Sequence, residues 1–75
     1  MQTIEVFKTN INCPEKAKQL VEHIHKTFAA CKANFDLDDC DKILRIVNTT
    51  GNIASLHFIN WLKKYNCYAE ILPDN

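Results

Sequence analysis

The sequence predicts an α+β domain in which two helices cover one face of a four-stranded antiparallel sheet. The first observation is that strand-like and helix-like segments follow one another in the order β-α-β-β-α-β. The second is that both helix-like segments carry an apolar stripe, so each needs a sheet face to pack against. A length of 75 residues, of which 47% are hydrophobic, suits one small domain, residues 1–75, with a single core.

The predicted first strand and first helix are joined by a turn that carries a cysteine. The segment Thr3–Thr9 is rich in β-branched and aromatic residues, and the alternation of Ile4 and Val6 predicts a strand. Pro14 suits the first turn of a helix, where its missing N–H is tolerated, and we expect this helix over Pro14–Ala29. Its apolar residues have helical spacing and are Ala17, Leu20, Val21, Ile24 and Phe28.

The rest of the chain predicts a hairpin, a second helix and a last strand. Cys31–Leu37 and Lys42–Val47 alternate as strands do, and the aspartates between them favour a turn. Ile53–Tyr65 has helical periodicity, and Asn66 suits a helix C-terminus. Tyr68–Leu72 predicts a short final strand.

Right-handed connections between these elements give the strand order 4-1-3-2 with both helices on one face, which is the ferredoxin-like βαββαβ fold. This order brings three turns to one edge of the sheet: the turn after the first strand, the hairpin turn and the turn before the last strand. Cys13, Cys40 and Cys67 should therefore lie at that edge, and Cys31 at the other.

Composition argues against several classes of function. Nine basic and nine acidic residues leave no net charge, whereas nucleic-acid binders usually carry a basic stripe. The open sheet face, expected to show Glu5, Lys32, Asn34, Asp36 and Arg45, has no aromatic residues on which bases could stack. The sequence has no long apolar run and no export signal, so we expect no membrane contact, a cytoplasmic location and reduced cysteines.

No arrangement of residues predicts an enzyme. The chain shows no Ser-His-Asp order, no glycine-rich phosphate loop and no paired catalytic carboxylates. The three histidines, His23, His25 and His57, are expected on the solvated surface. The aspartates of the hairpin, Asp36, Asp38, Asp39 and Asp41, do not follow the EF-hand pattern and predict a solvated turn.

Two segments carry a resemblance to a known family. INCPEKAKQLVEHIHKTF and YNCYAEIL resemble the metal-binding turn with its helix, and the final strand, of the heavy-metal-associated domains found in copper chaperones. In that family two turn cysteines bind Cu(I) or another soft metal. Cys13 falls on the first of them, Lys16 replaces the second, and Ile11 replaces the family's methionine. Cys67 falls on a loop position beside the metal turn.

Two functions follow from this resemblance. The first is binding of a soft metal ion, Cu(I), Zn(II) or Hg(II), by Cys13 together with Cys67. The second is a protein-interaction module that kept the fold and lost the metal, with another protein or a weak homodimer as its partner. Lys16 favours the second function, and Cys67 favours the first.

The second helix adds an expectation, because its apolar arc is so wide that some of Ile53, Leu56, Ile59 and Trp61 should be partly exposed.

Overall fold

A computed structural model describes residues 3–51 and 53–72. In chain order the elements are β1 (Thr3–Thr9), α1 (Pro14–Thr27), β2 (Cys31–Asp36), β3 (Ile43–Asn48), α2 (Ser55–Lys63) and β4 (Ala69–Ile71). The four strands form one sheet in the order β2-β3-β1-β4, and every neighbouring pair is antiparallel. This order is 4-1-3-2 read from the opposite edge. The predicted α+β class and the antiparallel sheet are confirmed.

Both helices cover the same face of the sheet. Buried side chains of α1 and α2 belong to one cluster with the inward-facing residues of the central strands. The members of this cluster are Phe7, Ile11, Ala17, Leu20, Ile24, Cys31, Ala33, Leu44, Ile46, Phe58, Leu62 and Cys67. The helices also meet through aromatic rings, because the Phe28 ring centroid lies 4.2 Å from that of Phe58 and 5.3 Å from that of Trp61. None of the described helices is long and apolar enough to cross a membrane.

The face assignment of β1 differs from the expectation. Phe7 is fully buried and pairs with Leu44, so alternate residues of β1 share its inward direction. Glu5 is one of them, because it pairs with the buried Ile46, and it therefore leaves the open face on which we had placed it. Ile4 takes the outward phase and is 54% exposed. Burial of one aromatic ring outweighs burial of an isoleucine at the end of the strand, since the strand cannot satisfy both.

Both helices are shorter than their apolar patterns suggested. The first ends at Thr27 instead of Ala29, and the second covers Ser55–Lys63 instead of Ile53–Tyr65. At the end of α2 the backbone tightens, because the N–H of Tyr65 donates to the C=O of Leu62, three residues back. The apolar pattern continues through this turn because the turn packs against the core, so periodicity alone overestimated the helix.

Three turns meet at one end of the sheet, which we call the turn edge: the β1–α1 turn (10–13), the β2–β3 turn (37–42) and the α2–β4 turn (64–68). The buried hydroxyl of Thr9 donates to the C=O of Lys42 over 2.6 Å and accepts the N–H of Ile11 over 3.2 Å. The N–H of Thr9 also donates to the C=O of Asp41. One side chain thus joins the end of β1 to the hairpin, as the predicted topology requires.

We predict that Thr9→Val destabilises the domain by about 1–3 kcal/mol, because it leaves a partly buried C=O and a buried N–H without their partner. Urea unfolding followed by circular dichroism measures the change. The matched control is Thr49→Val, which removes an exposed hydroxyl that donates to the C=O of Ala30 and should cost less than about 0.5 kcal/mol. Equal losses in the two variants would contradict this role of Thr9.

Candidate functional site

The β1–α1 and α2–β4 turns are tied together by the side chain of Asn10. Its Oδ1 accepts the N–H of Tyr68 over 2.9 Å, and its Nδ2 lies 3.5 Å from the C=O of Asn66. These two contacts flank Cys67 in the chain. The predicted adjacency of the two turns is therefore confirmed. Sequence reasoning did not single out Asn10, and the only signal for it was a polar residue directly after a strand.

Cys67 has a structural role at the end of α2. Asn66 adopts a left-handed conformation with φ 60°, as predicted for a helix C-terminus. The N–H of Cys67 then donates to the C=O of Leu62, and the N–H of Asn66 to the C=O of Lys63, which is the hydrogen-bond pattern of a Schellman motif. In this motif the residue after the left-handed one packs on the last helical turn. Cys67 and Leu62, both fully buried, occupy these two positions.

The thiol of Cys67 is held in its neutral form. Burial raises its pKa to about 11, although the positive charge of Lys16 acts in the opposite direction. Lys16 therefore lowers the pKa of Cys67, but desolvation is the larger effect. Since metals bind the thiolate, this environment opposes binding at physiological pH.

Cys13 has a different environment. It is exposed, it precedes α1 in an extended conformation (φ −108°, ψ 119°), and its C=O accepts the N–H of Ala17 over 3.0 Å. Its side chain makes no capping hydrogen bond to the helix. Cys13, Cys31, Cys40 and Cys67 are all free thiols. The thiol of Cys13 faces solvent, whereas the thiol of Cys67 is buried in the core. Joint metal binding by these two residues stays a prediction.

The residues at this site fit a resident soft metal poorly. Of the two sulfur ligands, only that of Cys13 is accessible, and Cys67 would have to leave its position at the end of α2 and lose its proton. Of this predicted pair, the protein surface therefore presents one thiol. One thiolate does not form the two-sulfur site that Cu(I) needs.

Another group of potential ligands lies in the β2–β3 turn. Ligand atoms of Asp39, Cys40 and Asp41 all lie within 4.8 Å of one another. Their local bonds account for this closeness, because Oδ1 of Asp39 accepts the N–H of Asp41 over 2.9 Å and Oδ1 of Asp41 lies 3.8 Å from Nζ of Lys8. The group has the arrangement of the solvated turn that the sequence predicted, and carries no further assignment.

The histidines are more engaged than expected. Nε2 of His25 accepts the N–H of Ala33 over 3.0 Å, which ties α1 to β2. His23 stacks on Tyr65 with ring centroids 4.9 Å apart, and His57 meets the edge of the Phe28 ring at 5.9 Å. All three remain exposed, as predicted, but each also has a partner within the fold.

The chain matches no protein-family model, and comparison with curated proteins and with solved structures gives no match.

We predict that Cys67 reacts with iodoacetamide at pH 8 about 100-fold more slowly in the folded chain than in urea. The thiolate is the reactive form, and a pKa of about 11 instead of 9.0 lowers its fraction by that factor. Peptide mapping after timed quenching gives the rate for each cysteine. Exposed Cys40 is the internal control and should change little. A folded-state rate for Cys67 close to its rate in urea would contradict the buried, neutral thiol.

Proposed function

We propose that the chain is a ferredoxin-like protein-interaction module that binds a partner protein through one side of α2 and β4. The supporting observation is a set of exposed apolar side chains, which we call the α2–β4 surface. Leu56 is 75% exposed, Tyr68 59% and Ile71 40%, and Ile59 is half-buried beside them on α2. Apolar groups gathered on one side of a small domain are typical of a docking surface.

The shape of this surface supports a protein partner. A groove of about 410 Å³ runs between α2 and β4 and is lined by Ile59 and Tyr68. Charged residues stand around it, namely Lys8, Lys63 and Glu70. An apolar centre with a polar rim of both signs is the usual composition of a protein–protein interface.

The second helix supplies most of this surface for a reason visible in its sequence. Phe58 and Leu62 fill the core, which uses one stripe of the helix. Leu56 and Ile59 lie on another side, where the sheet leaves them partly uncovered. The expectation that Ile53, Leu56, Ile59 and Trp61 are not all buried is confirmed, because Leu56 is exposed and the other three are intermediate. Within this arc, Leu56 is the side chain that the fold leaves uncovered and that a partner can cover.

The test is site-specific photo-crosslinking in cells. Photo-leucine placed at position 56 should capture one discrete partner protein. Photo-leucine at position 4 is the matched control, because Ile4 is also exposed and apolar but lies on the open face of the sheet. The proposal is wrong if position 56 captures nothing beyond what position 4 captures.

The captured partner allows a quantitative prediction. With both proteins purified, Leu56→Glu should weaken binding at least about tenfold, because it places a charge in an apolar contact. The melting temperature should stay within about 2 °C of the parent, because the side chain is 75% exposed. Isothermal titration calorimetry and thermal unfolding measure the two quantities, and Ile4→Glu should leave the affinity unchanged.

We propose soft-metal binding by Cys13 and Cys67 as the second function, and the adjacency of their turns supports it. It requires the α2–β4 turn to open. Native mass spectrometry with Cu(I), Zn(II) and Hg(II) under reducing conditions tests it: one ion should bind the parent and Cys40→Ser, and none should bind Cys13→Ser or Cys67→Ser. A Cys13→Ser protein with full Cu(I) stoichiometry would defeat the site. This second proposal includes membership of the heavy-metal-associated domain family and a cytoplasmic location.

A further inference from the structure

A second groove lies on the opposite side of the domain, between α1 and the edge strand β2. Its volume is about 640 Å³. Its walls are apolar: Ala17 and Val21 contribute from α1, and Phe35 and Leu37 from β2 and the residue after it. All but Ala17 are only partly buried, so a ligand in the groove would cover apolar surface that the fold leaves in water.

The strand wall of this groove has backbone groups that can pair. The N–H of Cys31 donates to the C=O of Phe28, and the N–H of Ala33 to Nε2 of His25, so these alternate residues point away from β3. Phe35 follows in the same alternation. Its N–H and C=O therefore also point outward from the sheet, and no residue in the described part of the chain is hydrogen-bonded to them on that side.

The open stretch of the edge is bounded on both sides. His25 occupies the N–H of Ala33, and Nζ of Lys42 donates to the C=O of Leu37 over 3.1 Å. Between these two contacts the edge offers the C=O of Ala33 and both backbone groups of Phe35. This is the hydrogen-bonding pattern that one short extended segment completes.

The lining of the groove carries more acidic than basic groups. Glu22, Asp36 and Asp38 contribute three carboxylates and Lys18 one ammonium group, whereas the whole chain has no net charge. These four side chains are exposed. The field at the groove mouth therefore favours a basic ligand. It disfavours a second copy of this chain, because two copies joined edge to edge would bring the two acidic rims together.

We propose that this groove binds an extended segment of a partner protein in which apolar and basic residues alternate. The segment adds to β2 as a further strand, with its backbone paired at Phe35. Its apolar side chains enter the groove beside Val21 and Leu37, and its basic side chains meet the acidic rim. This site is separate from the α2–β4 surface, and either one can fail without the other.

The test uses defined peptides. The probe is an acetylated, amidated and fluorescently labelled pentapeptide with the sequence lysine-valine-lysine-valine-lysine, and anisotropy measures its binding. Two further peptides carry N-methyl groups on either the valine or the lysine nitrogens. One of the two should bind about tenfold more weakly, because in a strand only one set of N–H groups faces β2. A peptide with glutamate in place of lysine should not bind measurably at the same concentrations.

Variants and amide signals locate the site on the protein. Val21→Arg should weaken probe binding at least about tenfold, and Ile4→Arg, an equally drastic change on the open face, should not. In ¹⁵N-labelled protein the Phe35 amide should shift on titration, and its hydrogen exchange should slow. If Val21→Arg fails to fold, the Phe35 amide signal and the N-methylated pair still decide the question.

Three results would overturn the proposal. The first is equal binding of the parent peptide and both N-methylated peptides, which excludes strand addition. The second is equal binding of the glutamate peptide, which excludes the acidic rim as the determinant. The third is a Phe35 amide already protected in a dimer of the free protein, detected by sedimentation, which assigns the edge to a second copy.

Discussion

The burial of Phe7 in the central strand β1 fixes the arrangement of the rest of the domain. With both helices on one face of the sheet, this ring has only one direction in which it can leave water. The inward direction of Phe7 decides which alternate residues of β1 face the helices, so Glu5 and Thr9 also point inward. Thr9 then needs partners for a buried hydroxyl and finds them in the C=O of Lys42 and the N–H of Ile11. The bonds that join the end of β1 to the hairpin thus follow from one apolar side chain.

The turn edge explains why the cysteine that the resemblance places beside the metal turn is also part of the fold. The end of α2 requires a left-handed residue followed by a small apolar one, and Asn66 with Cys67 meets both needs. Asn10 then holds the backbone on either side of Cys67. The same contacts that bring the two turns together seal the sulfur inside, so closeness of the turns and availability of the thiol oppose each other.

The sequence predicted the elements, their order and the meeting of the three turns, because these depend on periodicity and on connection rules. The predicted face assignment was wrong in β1, where Ile4 and Phe7 lie on opposite faces of the strand and only one of them can face the helices. Alternation alone does not say which of the two faces is buried. The prediction overestimated α2 because the turn around Tyr65 is as apolar as the helix. The bonds of Asn10 and His25 join residues far apart in the chain or in different elements, and a single sequence gives no sign of such pairs.

The two hydrogen bonds at the edge of β2 have a consequence for strand stacking between chains. An uncovered edge strand is a template on which other chains can stack without limit. Here His25 and Lys42 leave an open stretch centred on one residue, Phe35, which is too short to start a growing sheet but long enough for one guest strand. Loss of either hydrogen bond would lengthen that stretch. The two polar side chains therefore limit the length of edge strand on which another chain could stack.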